Sequence, residues 1–347
     1  MANYLWSLEV LHMSNSKTPL YRVGQIKKHF PVLGGVLRRT KGYVKALDGV
    51  DLEVFRGETI SVIGESGCGK TTLGRMLALL DKPTGGELAF DFGQGLQDVA
   101  NLRGEDQMQF RKKVQMIFQD PYTSFNPRQR VGAAMDEVLR VHGVKDEAER
   151  SARILEACEM VNIRPEYLQR FPHEFSGGQR QRLAIARCLA TKPELIIADE
   201  IVSALDVSIQ AQIVNLLLKI QKETGLSFIF VTHDVAVARY VGNRVAVMYL
   251  GNVVEILPAE SLPAAAEHPY TIALLSAVPS MNPQAKEDRV ALQGEVPSPI
   301  DIPSGCAFST RCPSVMDICR KERPLLKISN ISKGDHLVAC HLNKGAQ

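Results

Sequence analysis

A glycine-rich segment, residues 64–71, carries the residue types that wrap nucleotide phosphates. It reads Gly-Glu-Ser-Gly-Cys-Gly-Lys-Thr, follows a predicted strand, 58–63, and opens an apolar helix predicted over 72–80. Glycines let backbone N–H groups converge on phosphate oxygens at the positive end of a helix, Lys70 would pair with the β and γ phosphates, and the Thr71 hydroxyl would bind Mg²⁺. An unrelated glycine-rich turn is the competing interpretation. The predicted nucleotide contacts are Gly64, Ser66, Gly67, Cys68, Gly69, Lys70, Thr71 and Thr72.

Two adjacent carboxylates complete the chemistry that phosphoryl transfer requires. Asp199 and Glu200 end the apolar run 195–198, where the first can hold Mg²⁺ and the second can polarise the attacking water. An acid-capped strand on its own is structural more often than catalytic. Its occurrence in the same chain as a phosphate loop favours the catalytic interpretation.

Two further segments add polar groups of the same kind. Residues 176–179 read Ser-Gly-Gly-Gln before a helix rich in Arg and Leu, which predicts a second anion-binding helix N-terminus. His233 follows the predicted strand 228–232, a location that suits a contact with a γ-phosphate. Alone, the first is a weak signal, and a histidine at a strand end is usually an ordinary satisfied polar group.

These residues need a parallel α/β sheet to bring them together, and the chain alternates short β-rich apolar runs with helical stretches up to about residue 257. A helical subdomain is expected over about 120–190, with the charged segment 146–153 facing solvent. After Pro258 the composition shifts to Pro, Ala and Ser, with a short helix near 270–277, which predicts a small appended domain. The expected strands are 59–63, 114–118, 195–198, 228–231 and 245–249.

Composition excludes several classes of protein. The 347 residues are 45% hydrophobic and 23% charged, which indicates a globular protein and not a disordered tail. The net charge of +3 is spread without a block of basic residues, so nucleic-acid binding has no support. No apolar run approaches the ~18 residues of a membrane-spanning helix, and no signal peptide is recognisable. The expected compartment is the cytoplasm, where the seven cysteines stay reduced or bind metal; translation starts at Met1 or at Met13.

Over about residues 45–257 the chain resembles the ATPase subunits of ABC transporters. The order of phosphate loop, Gln119, Ser176-Gly177-Gly178-Gln179, Asp199-Glu200, Asp206 and His233 carries the resemblance. It implies a P-loop NTPase of the ABC type, with a RecA-like α/β core, an antiparallel β subdomain and a helical subdomain, spanning 20–257 in all.

The resemblance also implies a role for each of these residues. Gln119 would contact Mg²⁺ and sense the transmembrane subunit, Glu200 would be the catalytic base, and His233 would reach the γ-phosphate. The segment Ser176, Gly177, Gly178 and Gln179, together with Asp206, would serve the ATP held by another ATPase subunit. Two such subunits would sandwich two ATP molecules.

Two positions depart from the family pattern or leave it undecided. Ile201 stands where relatives commonly have proline after the catalytic glutamate, and because no charged or donor group is lost, activity is still expected. The aromatic residue that relatives stack on adenine is assigned to Tyr43.

The last forty residues hold four cysteines, and the region 258–347 resembles the C-terminal domain of oligopeptide and dipeptide ABC importers. In those relatives, four thiolates like Cys306, Cys312, Cys319 and Cys340 are ligands of a 4Fe-4S cluster. The spacing lacks the Cys-x-x-Cys pairs that are typical of zinc ribbons and ferredoxins. Four soft thiolates still favour iron–sulfur or zinc, and a site without metal stays open. A cluster here is expected to be structural.

The segments 27–31 and 83–87 resemble the second of the two ATPases in peptide importers. The implied partners are a different ATPase chain in a heterodimer, two transmembrane permease subunits and an extracytoplasmic substrate-binding protein. The predicted function is ATP hydrolysis that powers peptide import at the cytoplasmic face of the inner membrane. A soluble ABC ATPase acting on nucleic acid or ribosomes is the runner-up, and a non-motor iron–sulfur protein that binds nucleotide is the third interpretation.

Overall fold

The computed structural model describes residues 18–34, 39–120, 124–277, 294–331 and 336–343. Both alternative starts, Met1 and Met13, lie outside these residues. No helix in the described part of the chain is long and apolar enough to cross a membrane.

An antiparallel sheet opens the chain. Its four strands lie in the order β2-β1-β4-β5, and β1 pairs with β2 from Tyr21 opposite Val54 to Gly34 opposite Arg39. The strands are β1 Tyr21–Gly34, β2 Arg39–Val54, β4 Gly85–Asp91 and β5 Leu96–Asp98. One face of this sheet packs against β3 and the first helix through buried side chains such as Tyr21, Leu47 and Phe90.

A second, eight-stranded sheet forms the centre of the molecule in the order β11-β12-β10-β9-β3-β8-β7-β6. The five strands from β9 to β6 run parallel and are almost entirely buried, as expected for a sheet covered on both faces. The strands are β3 Thr59–Ile63, β6 Val114–Ile117, β7 Leu195–Asp199, β8 Ser227–Val231, β9 Arg244–Tyr249, β10 Asn252–Pro258, β11 Lys327–Ile328 and β12 Leu337–Val338. The five strands predicted from the sequence are confirmed to within one residue at each end.

Helices flank the central sheet, and three of them, α3 to α5, fall in the stretch predicted to be helical. The helices are α1 Lys70–Leu77, α2 Gly104–Lys113, α3 Val131–Val141, α4 Glu147–Met160, α5 Gly177–Leu189, α6 Val207–Thr224, α7 Val235–Val241, α8 Pro269–Ser276 and α9 Asp317–Lys321. The prediction that 146–153 faces solvent is wrong at Arg150, which is 8% exposed. Its guanidinium donates to Asp136 and to the carbonyl of Lys145, so these acceptors compensate for its burial.

The region after Pro258 is joined to the central sheet. Strand β12 pairs antiparallel with β10, Glu255 opposite Val338. An aromatic cluster of Tyr249, Tyr270 and Phe308 packs α8 and the loop 305–309 against β9, with ring centroids 4.6 to 5.5 Å apart. The cysteine-rich region is therefore packed against β9, which is the neighbour of β3 in the sheet. Strand β3 leads into the glycine-rich loop.

Candidate active site

The glycine-rich loop leaves β3 at Ile63 and ends where α1 begins at Lys70. Gly69 is the N-cap of α1 with φ +106°, and a Cβ there would lie 2.3 Å from the carbonyl oxygen of Ala46. A Cβ on Gly64 would lie 2.2 Å from the carbonyl oxygen of Met248. Only glycine fits at these two positions, so the loop is wedged between β2 and β9 with its N–H groups at the start of a helix.

Lys70 brings a positive charge to the centre of this loop. Its side chain is 5% exposed, and Nζ donates to the carbonyl oxygens of Gly64, at 2.9 Å, and Glu65, at 3.1 Å. The loop thus curls around the ammonium group. Together with the helix N-terminus, this charge makes the loop an anion-binding site.

Thr71 and Asp199 meet beside the loop, as expected for a magnesium site. Thr71 Oγ1 donates to Asp199 Oδ1 at 3.2 Å. Asp199 is 3% exposed at the end of β7, and this burial raises the pKa of its carboxyl group, while the Thr71 hydrogen bond acts in the opposite direction. A hydroxyl and a nearly buried carboxylate are oxygen ligands of the type that Mg²⁺ prefers. Thr72, the next residue of α1, is half-buried.

Three predicted residues, Gln119, Glu200 and His233, lie close together. Gln119 Nε2 donates to Glu200 Oε2 at 3.0 Å, and His233 Nδ1 lies 3.6 Å from the same oxygen. The three follow β6, β7 and β8, which are neighbouring parallel strands, so their carboxyl ends bring these side chains to one edge of the sheet. Glu200 has a positive φ of 47°, a conformation that is costly for a residue other than glycine and that clusters at functional sites. Ile201 beside it is buried among apolar side chains.

The segment 176–179 starts α5 with reciprocal capping. Ser176 Oγ accepts from the N–H of Gln179 at 3.4 Å, and Gln179 Oε1 accepts from the N–H of Ser176 at 3.0 Å. A Cβ on Gly178 would lie 2.7 Å from Ile209 Cγ2, which shows how closely α6 passes. Gly177 is half-buried beside it. Among the described residues, no hydrogen bond joins this segment to the phosphate loop.

Asp206 and Tyr43 lie at the margins of the site. Asp206 caps α6 by accepting from the N–H of Ile209 at 3.0 Å and from Ser208 Oγ at 2.7 Å, and the Ser208 hydrogen bond is the main cause that lowers its pKa. Tyr43 lies on β2 opposite Pro31 and is 51% exposed. Ala46, three residues further along β2, contacts the phosphate loop at Gly69. The adenine-stacking role of Tyr43 stays a prediction.

The four C-terminal cysteines are neighbours. The N–H of Cys306 donates to the carbonyl oxygen of Cys319 at 2.7 Å. Burial, together with the charges of Cys319, Cys340 and Cys312, raises the pKa of the Cys306 thiol to about 11. Burial also raises the pKa of the Cys312 and Cys340 thiols. However, no group of three or more His, Cys, Asp or Glu side chains among the described residues is arranged to hold a metal ion. The predicted metal-binding C-terminal domain is therefore not supported by the structure.

Sequence reasoning missed three residues at the phosphate loop. Both carboxylate oxygens of Glu65 accept from Arg311, at 2.9 and 3.2 Å, and the N–H of Glu65 donates to Tyr270 Oη at 2.9 Å. The two partners come from the C-terminal region, more than two hundred positions along the chain. The only sequence signal was an acidic residue in an anion-binding loop, and it does not identify a partner.

Two segments of the chain match known families. Residues 47–203 match the family described as ABC transporter, and residues 254–319 match the C-terminal region of oligopeptide/dipeptide transporters.

Relatives match nearly the whole chain. It is 46% identical over 332 residues to the oligopeptide transport ATP-binding protein AppF of Bacillus subtilis, covering 95% of this chain and 98% of the relative. It is 44% identical over 323 residues to the dipeptide transport ATP-binding protein DppF of Haemophilus influenzae, covering 93% and 96%. A solved structure of an ATP-binding cassette, a dimer in a post-hydrolysis state bound to ADP and phosphate, is similar with a TM-score of 0.59 and 30% identity, covering 69% of this chain and 98% of that one.

Proposed function

Because this chain belongs to the ATP-binding proteins of oligopeptide and dipeptide ABC transporters, we propose that the residues assembled beside its phosphate loop carry out the ATP hydrolysis that drives peptide transport. The chain is an ATPase that couples ATP hydrolysis to transport, and each residue of the site has a separate role in that hydrolysis. The observation that carries the proposal is the hydrogen bond between Thr71 and Asp199 beside the buried ammonium of Lys70. Phosphate, metal and catalytic carboxylate sites thereby lie at one edge of the sheet.

Lys70 and the loop N–H groups bind the β and γ phosphates. Thr71, Asp199 and Gln119 would hold Mg²⁺, which withdraws charge from the phosphate oxygens when bound. Glu200 accepts a proton from the attacking water and is oriented by the Gln119 amide. His233, whose side chain is 61% exposed, contacts the γ-phosphate.

A second ATPase subunit completes the site. The hydrogen bonds of Ser176 and Gln179 stay within their own turn, and the exposed start of α5 is free to serve the nucleotide of a partner, with Asp206 beside it. Burying a triphosphate requires donors on both sides. We propose that the partner is a homologous but different ATPase chain, because the segment 83–87 resembles the second ATPase of peptide importers.

The remaining partners are two transmembrane permease subunits and an extracytoplasmic substrate-binding protein. The chain would then sit at the cytoplasmic face of the inner membrane, attached through the permeases. ATP-dependent closure of the ATPase pair would change the permease conformation, and hydrolysis would reset it.

The transport role is tested by purifying the chain, tagged at its chromosomal gene, from detergent-solubilised membranes and identifying the proteins that are recovered with it. We expect recovery of integral permease subunits and of a second ATPase. In the same cells, Lys70→Ala should abolish peptide uptake, while Lys219→Ala, a substitution of an exposed lysine on α6, should leave it intact. Recovery with ribosomes or nucleic acid instead of permeases would overturn the transport role and support a soluble ATPase.

The four C-terminal cysteines are proposed to bind a 4Fe-4S cluster that ties the region together. Besides burial, the charges of Cys319, Cys340 and Cys312 raise the pKa of the Cys306 thiol, so the four sulfurs lie near one another, as the ligands of one cluster must. Four soft thiolates are the usual ligands of such a cluster, and the resemblance of residues 258–347 to the C-terminal region of peptide importers favours the cluster over zinc.

The cluster is tested by measuring iron and acid-labile sulfide in anaerobically purified protein. We expect both, with loss of both in Cys312→Ala and retention in Cys158→Ala, a cysteine of the helical subdomain. Zinc without iron, or iron retained in Cys312→Ala, is incompatible with the proposed ligand set.

A further inference from the structure

Glu65 places a negative charge inside a loop that binds negatively charged phosphates. It is the second residue of the loop, and its carbonyl oxygen accepts from the Lys70 ammonium. An unpaired carboxylate at this position would repel a triphosphate, in opposition to the helix N-terminus and to Lys70. Its charge must therefore be neutralised before the loop can function as an anion site.

Arg311 supplies that neutralisation with favourable geometry. Both terminal guanidinium nitrogens donate to the two Glu65 carboxylate oxygens, a bidentate pairing that is stronger and more directional than a single contact. The Arg311 side chain is only 7% exposed and that of Glu65 26%. The pair is thus shielded from solvent and from screening by salt, unlike an ordinary surface ion pair.

The C-terminal region also holds the backbone of Glu65. Its N–H donates to the hydroxyl of Tyr270, which is fully buried in the aromatic cluster with Tyr249 and Phe308. On the same side, residues 296–299 form the wall of a cavity of about 280 Å³ opposite the loop residues Glu65 to Cys68. The loop therefore contacts the C-terminal region through the side chain and the backbone of Glu65, and it faces residues 296–299 across the cavity.

We propose that Arg311 is a positioning residue for ATP binding, which neutralises Glu65 and fixes the phosphate loop in its binding shape from the C-terminal region. This rests on the proposed role of the loop as the ATP site. Because Arg311 belongs to the C-terminal region and Glu65 to the loop, the packing of that region sets the position of the guanidinium beside the loop. Glu65 is then the point where that region acts on the loop.

An electrostatic role of Arg311 and a role in packing alone predict different ATP affinities for a set of substituted chains. Arg311→Met leaves the Glu65 carboxylate unpaired, and ATP affinity should fall about tenfold, or about 1.4 kcal/mol. In the Glu65→Gln background the carboxylate is absent, so Arg311→Met should lower ATP affinity far less there than it does in the native chain. The double variant Arg311→Met with Glu65→Gln should regain most of the lost affinity, and Arg311→Lys should fall between, since a lysine keeps the charge but not the bidentate geometry.

The experiment uses the full-length chain and a fluorescent ATP analogue to measure Kd, and the assembled transporter to measure KM and kcat. KM should rise in Arg311→Met with little change in kcat at saturating ATP, as expected for uniform binding. Arg320→Met, at an exposed arginine of the same region, is the matched control and should match the native chain. The Glu65→Gln and Arg311→Lys variants keep the test valid if Arg311→Met folds poorly.

Two outcomes separate this inference from the function on which it rests. If Lys70→Ala abolishes ATP binding while Arg311→Met binds normally, or if the double variant is no better than Arg311→Met, the positioning role is wrong and the ATP site stands. If Lys70→Ala binds ATP normally, the ATP site itself is wrong.

Discussion

Acidification should loosen the C-terminal region at one histidine, His268. It is 1% exposed, caps α8 and accepts at Nδ1 from the N–H of Tyr270 at 3.0 Å. Burial lowers the pKa of His268 from 6.5 to about 4, although the charge of Glu255 acts in the opposite direction. The folded protein therefore keeps this imidazole neutral at a pH where the unfolded chain would protonate it.

The direction of the pH effect on stability depends on whether the folded or the unfolded chain binds the proton more tightly. Because the folded pKa is below the unfolded one, stability is complete above about pH 6.5 and falls as the pH drops towards 4. Each pH unit in this window is worth about 1.4 kcal/mol. Lowering the pH from about 7.5 to about 5 should therefore cost about 2 kcal/mol at this residue. Protonation also removes the acceptor for Tyr270, whose hydroxyl holds Glu65.

The assay is urea unfolding followed by far-ultraviolet circular dichroism at both pH values. The native chain should lose about 2 kcal/mol more between them than His268→Asn, since asparagine can cap the helix but does not titrate. His173→Asn, at an exposed histidine, is the matched control and should behave as the native chain. Parallel losses in the native chain and His268→Asn would refute the reasoning, because other groups would then account for the whole pH dependence.

Two further substitutions test the glycine-rich loop and the proposed catalytic edge, which consists of Gln119, Asp199, Glu200 and His233 at the carboxyl ends of β6, β7 and β8. Glu200→Gln should lower kcat for ATP hydrolysis about 10²–10⁴-fold with ATP binding retained, because the amide oxygen still accepts from the neighbouring glutamine; unchanged turnover would rule out a proton-accepting role. Gly69→Ala should abolish nucleotide binding and lower the thermal midpoint. Its Cβ would lie 2.3 Å from the Ala46 carbonyl oxygen, and this clash adds to the roughly 1–2 kcal/mol cost of a left-handed backbone conformation. Gly67→Ala, whose Cβ meets nothing within 4 Å, should lower the midpoint less, and equal losses would show that the clash is relieved elsewhere.

Much of the catalytic edge could be predicted because its residues follow strands. The runs before Gln119, Asp199 and His233 are short, apolar and rich in β-branched or aromatic residues, and neighbouring parallel strands end at the same edge of a sheet. The convergence of Gln119 and His233 on Glu200 follows from that topology. The buried Arg150 was missed because a charged run on a helix gives no sign that a guanidinium folds inward onto backbone carbonyls.

The strand order could not be read from the chain in the same way. The sequence suggested that the part after Pro258 is a small appended domain, whereas β12 in fact adds to the central sheet beside β10. Two-residue strands such as β11 and β12 carry no periodicity. Their pairing depends on the exposed edge of β10, which exists only once the sheet has formed.

The sequence by itself determined the chemistry of this protein, since a phosphate loop, a pair of carboxylates and a second helix start have fixed residue types and local geometry. Only the tertiary structure decided what controls that chemistry. Glu65 and Arg311 are 246 positions apart, and no local rule pairs an acid in a glycine-rich loop with an arginine near the other end of the chain. Their ion pair forms because α8 and the loop around Phe308 pack against β9, and that packing is a property of the whole fold.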